Sequence, residues 1–500
     1  MTHSDDGVPA LGRLPSGIAG LDEILRGGFL EGGVYIIQGS PGAGKTVLAN
    51  EICFRHAAGG GRAAYVTLLA EMHTRLLQHL RPMAFFDESV IPDSLYYVSA
   101  FHTLEGDGLK GLIDVLRREI KGQRANLLVV DGLVAAQESS PSDRDFKKFI
   151  HELQAHASAS GCTVLLLTSG GLRTISPEHT MVDGVLELED QLFEFRTERS
   201  LLIRKFRGSG FLRGRHSFRI TDDGVRFFPR VEAVFASASQ PQILSDARVV
   251  VGVPGIDKML LGGLPAGTTT GLIGASGVGK TTIGLHYLSA SSAAEPGLMF
   301  GFFETPERLC LKAQHQDLHV TAAVKRGDVE ILWQPQRENV LDELAHRLIA
   351  AVRRRKVKRL FIDGLGGFIE SATSPQRVSR FFSCLTNELR ALGATTVFTM
   401  EVPEIVGPIV KVPATGLSAL LENLIFLRFV ERGSSLHRAV SVHKVRDSGH
   451  DPCLREFFIT DRGVHVGELF SGVEGVSTGI AREPASAAAS PQPPTPTSGV

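Results

Sequence analysis

Short runs of apolar residues alternate with longer amphipathic stretches along most of the chain. In the first half, VYIIQ (34–38), LLVVD (127–131) and VLLLT (164–168) are apolar at consecutive positions. In the second half, TTGLI (269–273), RLFID (359–363) and TVFTM (396–400) follow the same plan. Runs this short, apolar on both faces, predict strands buried from two sides. The stretches between them have helical spacing, as in Val47, Leu48, Ile52 and Phe54 after the first run. LDELAHRLIAAVRRR (341–355) precedes RLFID, and FFSCLTNELRALG (381–393) precedes TTVFTM. Strand and helix in alternation predict an α/β fold, a mainly parallel twisted sheet flanked by helices.

The order of elements is repeated. GIAGLDEILRGGFLEGG (17–33) corresponds to GVPGIDKMLLGGLPAG (252–267), aligning Asp22 with Asp257 and Gly28 with Gly263. LLVVDG aligns Asp131 with Asp363 of RLFIDG, and LLIRKFRGSG (201–210) aligns Lys205 with Lys444 of AVSVHKVRDSG (439–449). FRITDDGVRFFP (218–229) matches FFITDRGVHVGE (457–468). A conserved order at this period predicts two copies of one domain in tandem. We expect them at 12–236 and 247–469, with a small-residue linker at 237–246. Residues 1–11 are expected as a flexible N-terminus. The Ala-, Pro-, Ser- and Thr-rich segment 470–500 has too few large apolar residues to offset its ordering entropy, and a disordered tail is expected there.

Each copy carries one glycine-rich loop. Gly39, Ser40, Pro41, Gly42, Ala43, Gly44, Lys45 and Thr46 satisfy G-x-x-x-x-G-K-[ST] in full. So do Gly274, Ala275, Ser276, Gly277, Val278, Gly279, Lys280 and Thr281. Each loop follows a predicted strand and opens a predicted helix, the setting in which backbone N–H groups cradle phosphate oxygens. Lys45 and Lys280 would reach the β- and γ-phosphates, and Thr46 and Thr281 would ligate Mg²⁺ through their hydroxyls. ATP and Mg²⁺ are therefore the expected ligands.

Composition narrows the class. The formal charge of the 500 residues is −1, without the basic excess of a protein that coats nucleic acid. The five cysteines, Cys53, Cys162, Cys310, Cys384 and Cys453, show no C-x-x-C spacing. That argues against a disulfide framework or zinc site and fits a reducing cytoplasm. The polar N-terminus is unlike a signal peptide, and no apolar run approaches the roughly 20 residues of a membrane helix.

Further candidates come from the repeat. Asp131 and Asp363 each end a buried strand downstream of a loop, a position suited to orienting the Thr hydroxyl or water around Mg²⁺. Asp-Gly is also a common turn pair. Glu71 and Glu304 each follow the strand after the loop helix, just where a new helix begins. They are candidates to orient or deprotonate an attacking water, although a glutamate there also suits the helix dipole. Lys205 with Arg207, and Lys444 with Arg446, are two apart, so a strand would present each pair on one face. Such cations could contact a γ-phosphate in trans, or simply form a solvated strand face. The run Arg353, Arg354, Arg355, Lys356, Lys358 and Arg359 suits a solvated helix C-terminus better than a nucleic-acid patch.

Taken together these residues resemble the KaiC branch of the RecA-like ATPases, over roughly residues 12 to 468. The resemblance rests on the opening G-[IL]-x-G-[IL]-D…GG, the two loops, the strand aspartates, and the closing KFRGSG and KVRDSGHD. It implies two tandem RecA-like P-loop NTPase domains that stack, and six chains in a double ring with ATP and Mg²⁺ at subunit interfaces. It also implies that Lys205, Arg207, Lys444 and Arg446 act on the neighbour's nucleotide. The family typically has paired glutamates after the second strand. Here LLAEM and FFETP keep one each, with Ala70 or Phe303 in the preceding slot, which implies slow turnover or one ring that mainly binds ATP. The family's clock protein carries adjacent Ser and Thr acceptors in its second module. The matching stretch PATGLSALLENLIFL (413–427) has Ser418 followed by Ala419, with Thr415 out of register. This does not support a two-site phosphorylation cycle and leaves single-site autophosphorylation open.

The expectation is a cytoplasmic, ATP-hydrolysing, homohexameric signalling protein with an unidentified protein partner and no membrane or nucleic-acid ligand. Its alternatives are a serine/threonine autokinase modifying Ser418 or Thr415, a RecA-like DNA-binding recombination ATPase, and a non-hydrolysing ATP-gated scaffold.

Overall fold

A computed structural model describes residues 12–70, 73–169, 177–241, 245–335, 338–403, 420–432, 435–469 and 480–481. The chain divides into two units, Met1–Val234 and Phe235–Val500.

In the first unit, β1 (Arg13–Leu14) and β2 (Phe29–Leu30) form a small antiparallel pair. The main sheet contains β3 (Val34–Gly39), β4 (Ala63–Thr67), β5 (Leu95–Ser99), β6 (Leu127–Asp131), β7 (Thr163–Ser169), β8 (Gly184–Phe193), β9 (Arg196–Phe206), β10 (Arg215–Thr221) and β11 (Gly224–Phe228). Their order is β11-β10-β9-β8-β3-β7-β6-β4-β5. The half from β8 to β5 is parallel, and β8 to β11 form an antiparallel meander. The second unit repeats this plan. There β12 (Arg248–Val249) pairs with β13 (Leu264–Pro265). Its main sheet contains β14 (Thr269–Gly274), β15 (Gly297–Gly301), β16 (Val329–Trp333), β17 (Arg359–Asp363), β18 (Thr395–Glu401), β19 (Asn423–Arg432), β20 (Ser435–Val445), β21 (Arg455–Thr460) and β22 (Gly463–Leu469), in the order β16-β15-β17-β18-β14-β19-β20-β21-β22. Within the span expected to be disordered, β23 (Ile480–Ala481) pairs in parallel with Glu431 and Arg432.

Burial on both faces explains the apolar runs. Along β3, Tyr35 and Ile37 pack with the helix Lys45–Ala58, while Val34 and Ile36 pack with the helices Phe101–Gly122 and Asp143–Ser160 on the other face. The aspartate of the repeated opening signature is structural. Asp22 accepts the backbone N–H groups of Ser16 and Gly17 at 2.8 and 3.1 Å. Asp257 accepts those of Val251 and Gly252 at 2.6 and 3.1 Å.

The basic run is mostly consumed by ion pairs. Arg353 meets buried Glu388 at 2.7 Å, and Arg354 and Arg355 share Glu330. Arg359 departs from the expectation of a solvated cation. It is buried, pairs with Glu295 at 2.8 Å, donates to the Val250 carbonyl at 2.8 Å and stacks over Tyr287. The β17 register carries it into the sheet, where a guanidinium keeps its charge only with such partners.

Candidate nucleotide-binding sites

Both glycine-rich loops lie at the carboxyl edge of their sheet, between two parallel neighbours. β3 is flanked by β7 and β8, and β14 by β18 and β19. The crevice beyond the strand ends is where open parallel sheets bind ligands. The helices that follow begin at Lys45 and Lys280. Their caps are Gly44 and Gly279, with φ of 100° and 117°. L-residues rarely adopt that region, so glycine is needed for the chain to enter the helix with its N–H groups turned into the loop.

The two lysines bind their own loops. Lys45 Nζ donates to the carbonyls of Gly39 and Ser40 at 2.8 and 3.0 Å. Lys280 Nζ donates to those of Gly274 and Ala275, both at 2.8 Å. Burial lowers both ammonium groups below their ordinary value of 10.5. Nearby carboxylates counter this, Asp131 for Lys45 and Glu401 with Asp363 for Lys280.

The threonine and strand aspartate come together in each unit. Thr46 Oγ1 donates to Asp131 Oδ2 at 3.2 Å, and Thr281 Oγ1 donates to Asp363 Oδ2 at 2.9 Å. Each aspartate ends its strand, and the following Gly132 or Gly364 caps a short helix in the left-handed region. The turn reading of Asp-Gly and the ligand reading therefore coexist. Burial raises Asp363 above its ordinary carboxyl value, against the opposing hydrogen bonds from Thr399 and Thr281. A hydroxyl beside a carboxylate is a hard oxygen donor set, suited to Mg²⁺ that takes its other ligands from phosphate and water.

Sequence patterns missed the second partner of each aspartate. Tyr65 on β4 donates its hydroxyl to Asp131 Oδ2 at 2.7 Å, and Thr399 on β18 donates to Asp363 Oδ1 at 2.7 Å. Neither belongs to a motif. Only the adjacency of β4 with β6, and of β17 with β18, brings them to the carboxylate.

Of the two glutamates, Glu71 lies outside the described residues. Glu304 lines a cavity of about 870 Å³ together with Lys280, Thr281, Asp363, Lys312 and Glu401. That volume is in the range of small-molecule and cofactor clefts. Glu304 forms an ion pair with Lys312, which lies on the helix Pro306–His315. In the sheet, Thr67 is level with Asp131 and Gly301 with Asp363. Glu304 is thus three residues past its strand end and Glu71 four, so Ala70, rather than Glu71, shares Glu304's spacing. The slot before Glu304 holds Phe303, whose exposed ring lies against Gly364, and in the first unit Leu69 lies against Gly132. Thr415 and Ser418 also lie outside the described residues.

Of the cation pairs, Arg207 and Arg446 lie at the opposite edge of each sheet, and the lysines are level with the middle of β3 and β14. Lys205 is level with Val185, which is level with Ile36, and the Arg207 N–H donates to the Asp183 carbonyl at 2.7 Å. Asp183 N–H in turn donates to the carbonyl of Val34, at the start of β3. At about 3.3 Å per residue, Arg207 is roughly 16 Å along the sheet from the loop that β3 feeds. Lys444 and Arg446 are placed alike, level with Leu424 and Glu422. Both arginines lie just past the strand ends at Phe206 and Val445. A register shift precedes each lysine, between Ile203 and Lys205 and between Val442 and Lys444. Lys205 Nζ and Arg207 Nη2 converge on the Thr180 carbonyl, each at 2.9 Å, while Lys444 Nζ donates to the Leu421 carbonyl at 2.7 Å.

Among the described residues, no helix is long and apolar enough to cross a membrane. A model of the KaiC ATPase family matches this chain twice, over residues 14–232 and 249–470. The circadian clock oscillator protein KaiC of Prochlorococcus marinus is 24% identical over 93% of this chain and 95% of its own length. Those of Picosynechococcus and Synechococcus elongatus are 23% identical, over 96% and 94% of this chain and 94% and 92% of their own lengths.

Proposed function

The chain belongs to the KaiC family of ATPases, and from that premise we propose that it is a Mg²⁺-dependent, ring-forming signalling ATPase with one ATP site in each unit. The observation that carries this reading is the Thr–Asp pair at 3.2 Å in the first unit and 2.9 Å in the second, each beside a lysine-bearing loop. Lys45 and Lys280 would exchange their loop carbonyls for β- and γ-phosphate oxygens. Thr46 with Asp131, and Thr281 with Asp363, would hold Mg²⁺. Mg²⁺ would supply charge neutralisation on the phosphates. Glu304, and Glu71 in the first unit, would orient the attacking water.

Placement of the cation pairs favours nucleotide held between copies. Arg207 and Arg446 lie at the sheet edge away from their own loop, and a ring of copies would bring each of them, with Lys205 or Lys444 beside it, to the next subunit's loop. A homohexamer is the assembly we infer. The ion pairs of Arg353, Arg354, Arg355 and Arg359 weigh against a recombinase reading that would use this run on DNA.

Native mass of the full chain with and without Mg·ATP, with nucleotide counted per protomer, tests the reading. Two nucleotides per protomer in a hexamer are expected, falling to one in Lys45→Ala and one in Lys280→Ala. Turnover and stoichiometry unchanged in both variants would sink it.

A further inference from the structure

The two sites hold their aspartates in unlike surroundings. Beneath the first loop lies a polar and aromatic network. Asn50 Nδ2 donates to the Thr46 carbonyl at 2.8 Å, and the Tyr97 hydroxyl donates to Asn50 Oδ1 at 2.8 Å. The Tyr97 ring packs on Tyr65 with centroids 5.4 Å apart, and the Tyr65 hydroxyl donates to Asp131. One end of this network therefore bears on Thr46 and the other on Asp131.

The second unit has apolar residues at every one of these positions. Counting from the loop lysine, Leu285 stands where Asn50 does, and it is buried. By strand register, Met299 stands where Tyr65 does, and Ile331 where Tyr97 does. Asp363 takes its second hydrogen bond from the opposite neighbour, through Thr399 on β18.

We propose that Tyr65 is a positioning residue peculiar to the first site. It donates to the same Asp131 oxygen that Thr46 addresses and so fixes the carboxylate in its cation-binding orientation. Tyr65 is fully buried, and its hydroxyl lies 2.7 Å from Asp131 Oδ2. A side chain that hydrogen-bonds a ligating carboxylate is the kind of outer partner that sets metal affinity. The inference rests on the reading of the first loop as a Mg·ATP site.

The test uses the full chain carrying Lys280→Ala, so that only the first site is read. Fluorescent mant-ATP is titrated with Mg²⁺, and again in EDTA, for this parent and for Tyr65→Phe and Tyr65→Met. Both substitutions should raise the Mg²⁺ midpoint about tenfold and leave the EDTA affinity unchanged. Melting without nucleotide checks that the variants fold, and Tyr65→Phe removes only the hydroxyl. An unchanged Mg²⁺ midpoint, or an equal loss with and without Mg²⁺, overturns the proposal. A parent with no Mg²⁺-dependent binding removes the ATP-site reading itself, and the proposal with it.

Discussion

Glu51 and His286 occupy the same turn of the loop helix in their respective units, and each fastens the last hairpin of its sheet. Glu51 Oε2 accepts the Val225 N–H at 2.7 Å, and His286 Nε2 accepts the Val464 N–H at 2.8 Å. Since His286 Nε2 accepts, its Nδ1 carries the proton and donates to the Gly252 carbonyl at 3.1 Å. One side chain joins three separate segments, and it can do so only as a neutral imidazole.

Acid should therefore loosen the second unit. Burial, with His465 nearby, lowers His286 below the ordinary 6.5, outweighing its bond to Gly252. The unfolded chain then binds the extra proton more readily, so the contribution is fully present above pH 6.5 and is lost as the pH falls from there through the depressed folded value. Protonation strands the Val464 N–H, a loss on the order of 1–3 kcal/mol. Urea midpoints at a series of pH values should fall in acid for the parent and less for His286→Gln, which keeps an acceptor without a titration. Asp363, raised by burial, acts in the opposite sense in parent and variant alike. Identical pH profiles would refute the assignment.

Gly279→Ala should damage the second site through its backbone. Its φ of 117° is strained for an L-residue, while the neighbour its Cβ would meet, Ile459 Cδ1, is the movable end of a side chain. The conformational cost, about 1–3 kcal/mol, should lower the melting temperature and weaken nucleotide binding at this site. Wild-type nucleotide affinity in the variant would show that the cap geometry is dispensable.

Glu304→Gln should separate binding from turnover. A carboxylate that orients or accepts from water contributes roughly 100-fold or more. Turnover from the second site should drop by that order, with mant-ATP affinity within a few-fold of the parent. Turnover preserved in the variant assigns the water to another group of the cavity.

Mixing two defective chains should restore activity if the cations act between copies. Lys45→Ala removes a loop lysine, and Lys205→Ala with Arg207→Ala removes the cation pair. In random mixed rings about a quarter of first sites would combine an intact loop with intact cations from the neighbour. First-site turnover should rise above the average of the separate preparations. No rise at any mixing ratio would return the cations to a role within their own chain.

Much of this was legible in sequence because the loop chemistry is local. Strand, glycines, lysine and threonine are contiguous, and Asp131 and Asp363 announce themselves at the ends of apolar runs. Tyr65 and Thr399 were not legible, since their roles depend on which strand lies beside which. Glu71 and Glu304 occupy similar places in the sequence pattern, and only sheet register separates them by one residue. Arg359 was read with its basic neighbours, although only strand register distinguishes it from them.

The network of Asn50, Tyr97 and Tyr65 also constrains how such a duplicated chain can drift. Changing Asn50 alone to the leucine of the second unit would leave the Tyr97 hydroxyl without its acceptor, costing on the order of 1–3 kcal/mol. Changing the tyrosines first would remove the donor to Asn50 Oδ1 and one of the hydroxyl donors to Asp131. The polar and apolar versions are thus each self-consistent, and single exchanges between them leave a polar group with fewer partners.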